Sequence, residues 1–195
     1  MNFLWTAAVK YAEYIGVAES DRRKVNWHDP VMGDPLPTIE NWVSPTLEQY
    51  LGPNNKRKLK RIGDSPRAAH CLISARAADA LRDIWDRHAL LYPVKLLDDP
   101  ENAYFMVVVK TVLDCLIIEE STGAKPTLIQ DKRPFVTLHT WAFKSDCVSD
   151  NDLFVLPGMP YRVFVSERFK ARIVAAKLKG FCLKTEFWED KPFVS

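Results

Sequence analysis

A device used twice limits the folds open to this chain. Ile73-Ser74-Ala75-Arg76 and Val165-Ser166-Glu167-Arg168 stand 92 positions apart, each where an apolar run meets a helix-period segment. Ala69 to Ile73 precedes the first serine and Tyr161 to Val165 the second. A serine at such a junction caps the helix, because its hydroxyl accepts from an orphan amide of the first turn. After Ser74, the residues Leu81, Ile84, Trp85 and His88 recur at i, i+3, i+4 and i+7 and predict one buried face. After Ser166, Phe169, Ile173 and Ala176 form the corresponding stripe. Asp83 and Arg87, at i and i+4, predict an ion pair on the outer face. Gly180 is the expected left-handed residue after the second helix, with Phe181 placed for the accompanying apolar contact. Lys177 and Lys179 put positive charge near that helix's C-terminus, where it is favourable. Leu90 to Leu97 and Phe181 to Phe187 then read as strands. The two strand–Ser–helix–strand units are a pseudo-repeat or, equally, common strand-to-helix chemistry.

Further strands are predicted between the units. Tyr104 to Ile118 is apolar except at Lys110, Thr111 and Asp114, and reads as two elements broken near Thr111. Phe135 to Phe143, rich in aromatics and threonine, and Leu153 to Leu156 are strand candidates. Pro157-Gly158 fits the two central positions of a type II turn. The expected class is α+β. It has a twisted, mostly antiparallel sheet of about seven strands, two principal helices and an irregular Pro-rich N-terminal region.

Residues 1–66 differ from the rest. Six of the 13 prolines fall between Pro30 and Pro66. Each removes a backbone donor and restrains its neighbour, which excludes long helices there. The region is expected to wrap over an α+β core formed by 67–195, within a single domain. Residues 3–15 fit either a loose helix or a short initial strand.

The 195 residues are 47% hydrophobic, enough for a core that needs no metal or disulfide to fold. Lys plus Arg is 27 and Asp plus Glu is 25, so a net charge of +2 supplies no strong field for nucleic acid or anionic lipid. No uninterrupted apolar run is long enough to span a bilayer. The start, Met1-Asn2-Phe3-Leu4-Trp5-Thr6, lacks the basic region of a secretory signal, and the expectation is a cytoplasmic protein. Cys71, Cys115, Cys147 and Cys182 show no zinc spacing. The first, second and fourth lie in apolar segments and are expected to be reduced core residues.

The search for chemistry finds no GxGxxG, P-loop, GxSxG or HExxH pattern. The chain thus implies no cofactor, metal site or catalytic residue. His88, on an apolar helix stripe, is expected to be a packed histidine. Asp114 sits in an apolar run, where an unpaired charge is costly. It is either a cleft residue with a raised pKa or a structural acceptor, and the cost of burial favours the second. Asp98-Asp99-Pro100-Glu101 reads as a turn. An enzymatic reading would have to use Asp114 or this cluster.

Two charged segments are candidate partner contacts. Asp146, Asp150 and Asp152 surround Cys147 and form either an acidic recognition loop or a solvated one. Lys56, Arg57 and Lys58 begin a run of five positive charges among residues 54–61. A nucleic-acid regulator would use that run. It has no interleaved aromatics for base stacking, and a solvated loop is the simpler reading.

The ordered segments resemble the bacterial polymorphic-toxin immunity protein family numbered eleven. The resemblance rests on Asp34-Pro35-Leu36-Pro37 with Trp42, on Ile73-Ser74-Ala75-Arg76, and on Val112-Leu113-Asp114-Cys115-Leu116 with Ser121. It continues through Leu153-Phe154 and Phe164-Val165-Ser166-Glu167-Arg168-Phe169 to Leu178-Lys179-Gly180-Phe181, and so runs over about residues 34–187. Ile117 departs from the acidic residue the family often has there. The resemblance implies a cytosolic immunity protein that binds a toxin delivered by type VI or contact-dependent secretion. Its motifs are structural, so it transfers no catalytic residue.

Overall fold

The computed structural model describes residues 2–7, 13–16, 38–50, 62–66, 68, 70–123, 125–129, 133–186 and 193–194. Among these, β1 (Asn2–Ala7), β2 (Tyr14–Gly16), β3 (Thr46–Gln49) and β4 (Leu72–Ser74) precede α1 (Ala75–Ala80) and α2 (Arg82–His88). Then come β5 (Ala89–Leu96), β6 (Tyr104–Val109), β7 (Lys125–Ile129), β8 (Arg133–Thr137) and α3 (Ser145–Val148). The chain closes with β9 (Leu153–Leu156), β10 (Met159–Ser166), α4 (Glu167–Ala175), β11 (Phe181–Lys184) and β12 (Phe193–Val194). The class is α+β and the pairing mostly antiparallel, as expected. The strands divide between two five-stranded sheets, β12-β11-β1-β10-β9 and β2-β3-β5-β6-β4, and a β7-β8 ribbon. Only the β3–β5 pairing within these named sheets is parallel.

Side-chain alternation builds three separate cores, because successive strand residues face opposite ways. In β1, Phe3 and Trp5 enter the central cluster while Leu4 enters another. In β6, Phe105, Val107 and Val109 join the central cluster, and Tyr104, Met106 and Val108 face away into a third. The central cluster thus takes one face of each large sheet, and the helices contribute Ala77, Leu81, Ile84, Trp85, Phe169 and Ile173 to it. Its aromatic centre is Trp5, which lies 5.4 Å from Phe181, 5.8 Å from Phe169 and 5.9 Å from Trp85.

The repeated device is real and goes deeper than the serines. Ser74 Oγ accepts from the Ala77 amide at 3.2 Å and donates to Asp64 Oδ1 at 2.7 Å. Ser166 Oγ accepts from the Phe169 amide at 3.1 Å and donates to Asp152 Oδ1 at 2.6 Å. In both units the serine amide bonds the same aspartate's carbonyl, at 2.9 and 3.1 Å. In both, the arginine two positions on pairs with that aspartate's second oxygen at 3.3 Å. Each unit is therefore an Asp–Ser–Arg set at a helix start. The arginines also tie the helices together. Arg76 donates to the carbonyls of Ala176 and Lys177 at the end of α4, and Arg172 donates to Ala80 at the end of α1.

Several expectations change. The first helix is not continuous: Leu81 (φ −120°, ψ 23°) breaks it into α1 and α2, though Leu81, Ile84, Trp85 and His88 are all buried as the periodicity requires. Asp83 pairs with Arg168 and Arg172 across the helix interface, at 2.9 and 3.1 Å, so its partners are on α4. The left-handed residue ending α4 is Lys177 (φ 51°), not Gly180. Leu178 N bonds Ile173 O and Lys177 N bonds Val174 O, a Schellman ending with Leu178 and Ile173 as its apolar pair. Gly180 (φ 94°) serves a different need, since a Cβ there would stand 2.9 Å from the Ser65 carbonyl oxygen. Gly158 has the positive φ (74°) that its turn requires, and β9 matches the expected bounds. The Phe135 to Phe143 candidate stops early, because β8 ends at Thr137.

The N-terminal segment supplies a central strand. β1 is the middle strand of the first sheet, paired with β10 through Phe3↔Val165 and with β11 through Trp5↔Leu183. Nothing local announces such partners, which lie 162 and 178 positions on in sequence. The prolines at 30, 35, 37 and 53 lie outside the described residues.

Candidate functional site

A lobe on the outer face of the first sheet carries the acidic candidates. Its base is a cluster of Leu4, Cys115, Leu138, Phe154, Leu156, Met159 and Phe164. Two irregular segments cross it side by side. Lys144 N bonds Cys115 O at 2.9 Å, Leu116 bridges Phe143, and Ile117 N bonds Ala142 O at 2.8 Å. Ser121 Oγ donates to Ile117 O at 2.6 Å and accepts from Ala142 N at 3.1 Å, closing one end. Thr111 and Leu113 bond Val155 and fix the other end to β9.

The segments alternate, so Leu113 and Cys115 face the cluster while Val112 and Asp114 face out. Asp114 is thus exposed, which removes both the cleft and the buried-acceptor readings. The segment is irregular and covered on one face only, so every second side chain is left to solvent. Asp146 is exposed on α3, where its carboxylate accepts from the Cys147 amide at 3.0 Å, and Asp150 is exposed just beyond. Glu119 and Glu120 are exposed on the same lobe, with Val112 and Ile118 each 56% exposed among the carboxylates. Asp152 stands apart. It is 8% exposed, with its oxygens held by Ser166 and Arg168. Lys56, Arg57 and Lys58 lie outside the described residues.

The other titratable candidates serve the fold. Asp99 accepts from Asn102 Nδ2 and Tyr104 OH, each at 2.7 Å, and so fastens the turn read from the sequence to β6. Burial and that bond push the Tyr104 hydroxyl upward in pKa. A cleft of about 350 Å³ lies between this turn and the start of α1, lined by Asp64, Arg76, Asp99, Tyr104 and Lys179 among others. Its acids already face inward: Asp64 holds Ser74, Arg76 and the Lys179 amide, and Asp99 holds Asn102 and Tyr104. Among the described residues no three His, Cys, Asp or Glu side chains are grouped to hold a metal.

His88 is the packed histidine expected from its stripe, 2% exposed, with Nδ1 3.0 Å from Thr111 Oγ1. Burial lowers its pKa first, Arg87, Lys110 and Arg168 lower it further, and Asp152 opposes them. The unfolded chain therefore takes up the proton more readily, so stability is full above about pH 6.5 and falls as the pH drops below it. Urea titrations at neutral and mildly acidic pH should show this loss. His88→Gln should flatten the part of the slope that His88 contributes.

The model of the immunity protein family Imm11 matches residues 46–186. The chain belongs to that family, which supports an immunity function and implies a toxin as partner. No curated protein matches it. The Asp34 to Pro37 motif falls outside the matched span, while both Asp–Ser–Arg sets fall within it. Sequence reasoning found the two serines but missed their aspartates. Asp64 and Asp152 precede them by different distances, 10 and 14 positions, so no common spacing exposes the match. Among the described residues, no helix is long and apolar enough to cross a membrane.

Proposed function

We propose that this protein neutralises a cognate antibacterial toxin by stoichiometric binding in the cytoplasm of the producing cell. The toxin would be an effector delivered by type VI or contact-dependent secretion. The observation that carries this reading is membership of the immunity family over residues 46–186. A toxin lethal at few copies calls for a dissociation constant of about nanomolar or below, worth about −12 kcal/mol. Such complexes commonly bury about 800 Å² per partner.

The acidic lobe is the proposed contact surface, with Asp146 and Asp150 as its exposed carboxylates on and beyond α3. Val112 and Ile118 give it apolar area to bury. Its charge suits a basic toxin surface, and charges of this kind act mainly on the rate of encounter. Asp152, the third acidic candidate, is buried and already holds Ser166 and Arg168, so the proposed contact rests on Asp146 and Asp150. Lys56, Arg57 and Lys58 are a second proposed contact, for an acidic part of the same toxin.

The test uses the toxin encoded beside this protein's gene. Purified protein should capture it and protect cells that express it; failure of both ends the binding reading. Asp146→Lys with Asp150→Lys should slow association by about tenfold at low salt and lower stability by no more than about 1 kcal/mol, since both side chains are exposed and only the Asp146 bond to the Cys147 amide is lost. An unchanged association rate would remove the lobe from the interface.

A further inference from the structure

Two of the four cysteines meet. Cys115 and Cys147 stand 32 positions apart in sequence, and all four thiols are free. The crossing of the two lobe segments brings this pair together. Lys144 N bonds Cys115 O, and α3, which carries Cys147, begins at the next residue. Cys147 packs against the cluster that contains Cys115, and burial, with the Cys147 thiol close by, pushes the Cys115 thiol up to about 12. Cys115 is fully buried and Cys147 half-buried, so a small reagent reaches the second first. Cys182 is buried and Cys71 packs against the central cluster, where its thiol is pushed up to about 12 by burial.

We propose that Cys115 and Cys147 are an oxidation site at which a hydroperoxide makes a disulfide that staples α3 to the 112–118 segment. The Cys147 sulfur attacks one peroxide oxygen. The O–O bond breaks and water leaves, giving a sulfenic acid at Cys147. The Cys115 sulfur then attacks the Cys147 sulfur, and the hydroxyl leaves with the Cys115 proton as a second water. Two thiols and one hydrogen peroxide thus give one disulfide and two waters. The fully buried thiol completes the reaction, and its position decides that Cys147 is protected from deeper oxidation. The proposal rests on the two thiols' geometry and stands whether or not the lobe meets a toxin.

The test treats the full chain with hydrogen peroxide at about pH 8, where an ordinary thiol is partly ionised, then alkylates, digests and maps it by mass. The expected result is loss of two of the four thiols. One pair of peptides should be joined through Cys115 and Cys147, two hydrogens lighter than their sum and separated again by dithiothreitol. Cys71 and Cys182 should remain alkylated. Cys147→Ser, a change at a half-buried site, should keep the remaining thiols free of any cross-link. Four alkylated thiols after treatment would overturn the proposal. So would added oxygen on Cys147 with Cys115 still alkylated, or a cross-link through Cys71 or Cys182.

Discussion

Trp5→Ala should cost about 3–5 kcal/mol of stability, the range for removing a large aromatic from a packed core. Trp5 is 2% exposed and touches three other aromatic rings at 5.4–5.9 Å. Those rings come from α2, α4 and β11, so the cavity would open where both repeat units and the first sheet meet. Its indole also donates to Ser65 Oγ at 3.2 Å, fastening the 62–66 segment to β1. For a chain of this size each kcal/mol moves the melting temperature by about 2–4 °C, so a fall of roughly 10 °C is expected in a circular dichroism melt. Trp5→Phe should lose less, since it keeps part of the ring contact. A loss under about 1 kcal/mol for the alanine variant would mean that the aromatic centre is not where the core is held.

Asp64→Ala should be the most damaging polar substitution, at about 2–4 kcal/mol. The carboxylate is 8% exposed and holds three donors: Ser74 Oγ at 2.7 Å, the Lys179 amide at 2.7 Å and Arg76 at 3.3 Å. Removing it loosens the cap of α1 and strands an amide at the turn after α4. The Arg76 side chain is 55% exposed, so the ion pair itself contributes little and the neutral donors account for most of the loss. Arg76→Ala alone should therefore cost less than Asp64→Ala. Asp152→Ala should behave similarly at the second unit, where Ser166 and Arg168 are the partners. Denaturant midpoints of the three variants check the order. Equal costs for Asp64→Ala and Arg76→Ala would place the energy in the ion pair instead.

Local signals were legible and distant ones were not. Ser74 and Ser166 announce their helices because a cap acts within three residues. The stripe of Leu81, Ile84, Trp85 and His88 is buried as its spacing requires, even though the backbone breaks at Leu81. Pro157-Gly158 and β9 were equally readable. The central place of β1, by contrast, depends on partners at the far end of the chain. Asp83 has a correctly spaced arginine on its own helix, yet it pairs with Arg168 and Arg172 of α4. Gly180 was the natural choice for a left-handed cap, but the Schellman ending falls on Lys177 and the glycine is needed against Ser65. At the candidate site the acidic character of 144–152 was visible, while its union with Asp114, Glu119 and Glu120 required the pairing of two irregular segments.

Stoichiometric binding is tested by titrating the cognate toxin's activity with this purified protein, at toxin concentrations well above the dissociation constant. Inhibition by surface binding predicts a straight decline that reaches completion at one molecule of protein per molecule of toxin. Full protection by a small fraction of an equivalent, or undiminished toxin activity in excess protein, would contradict it.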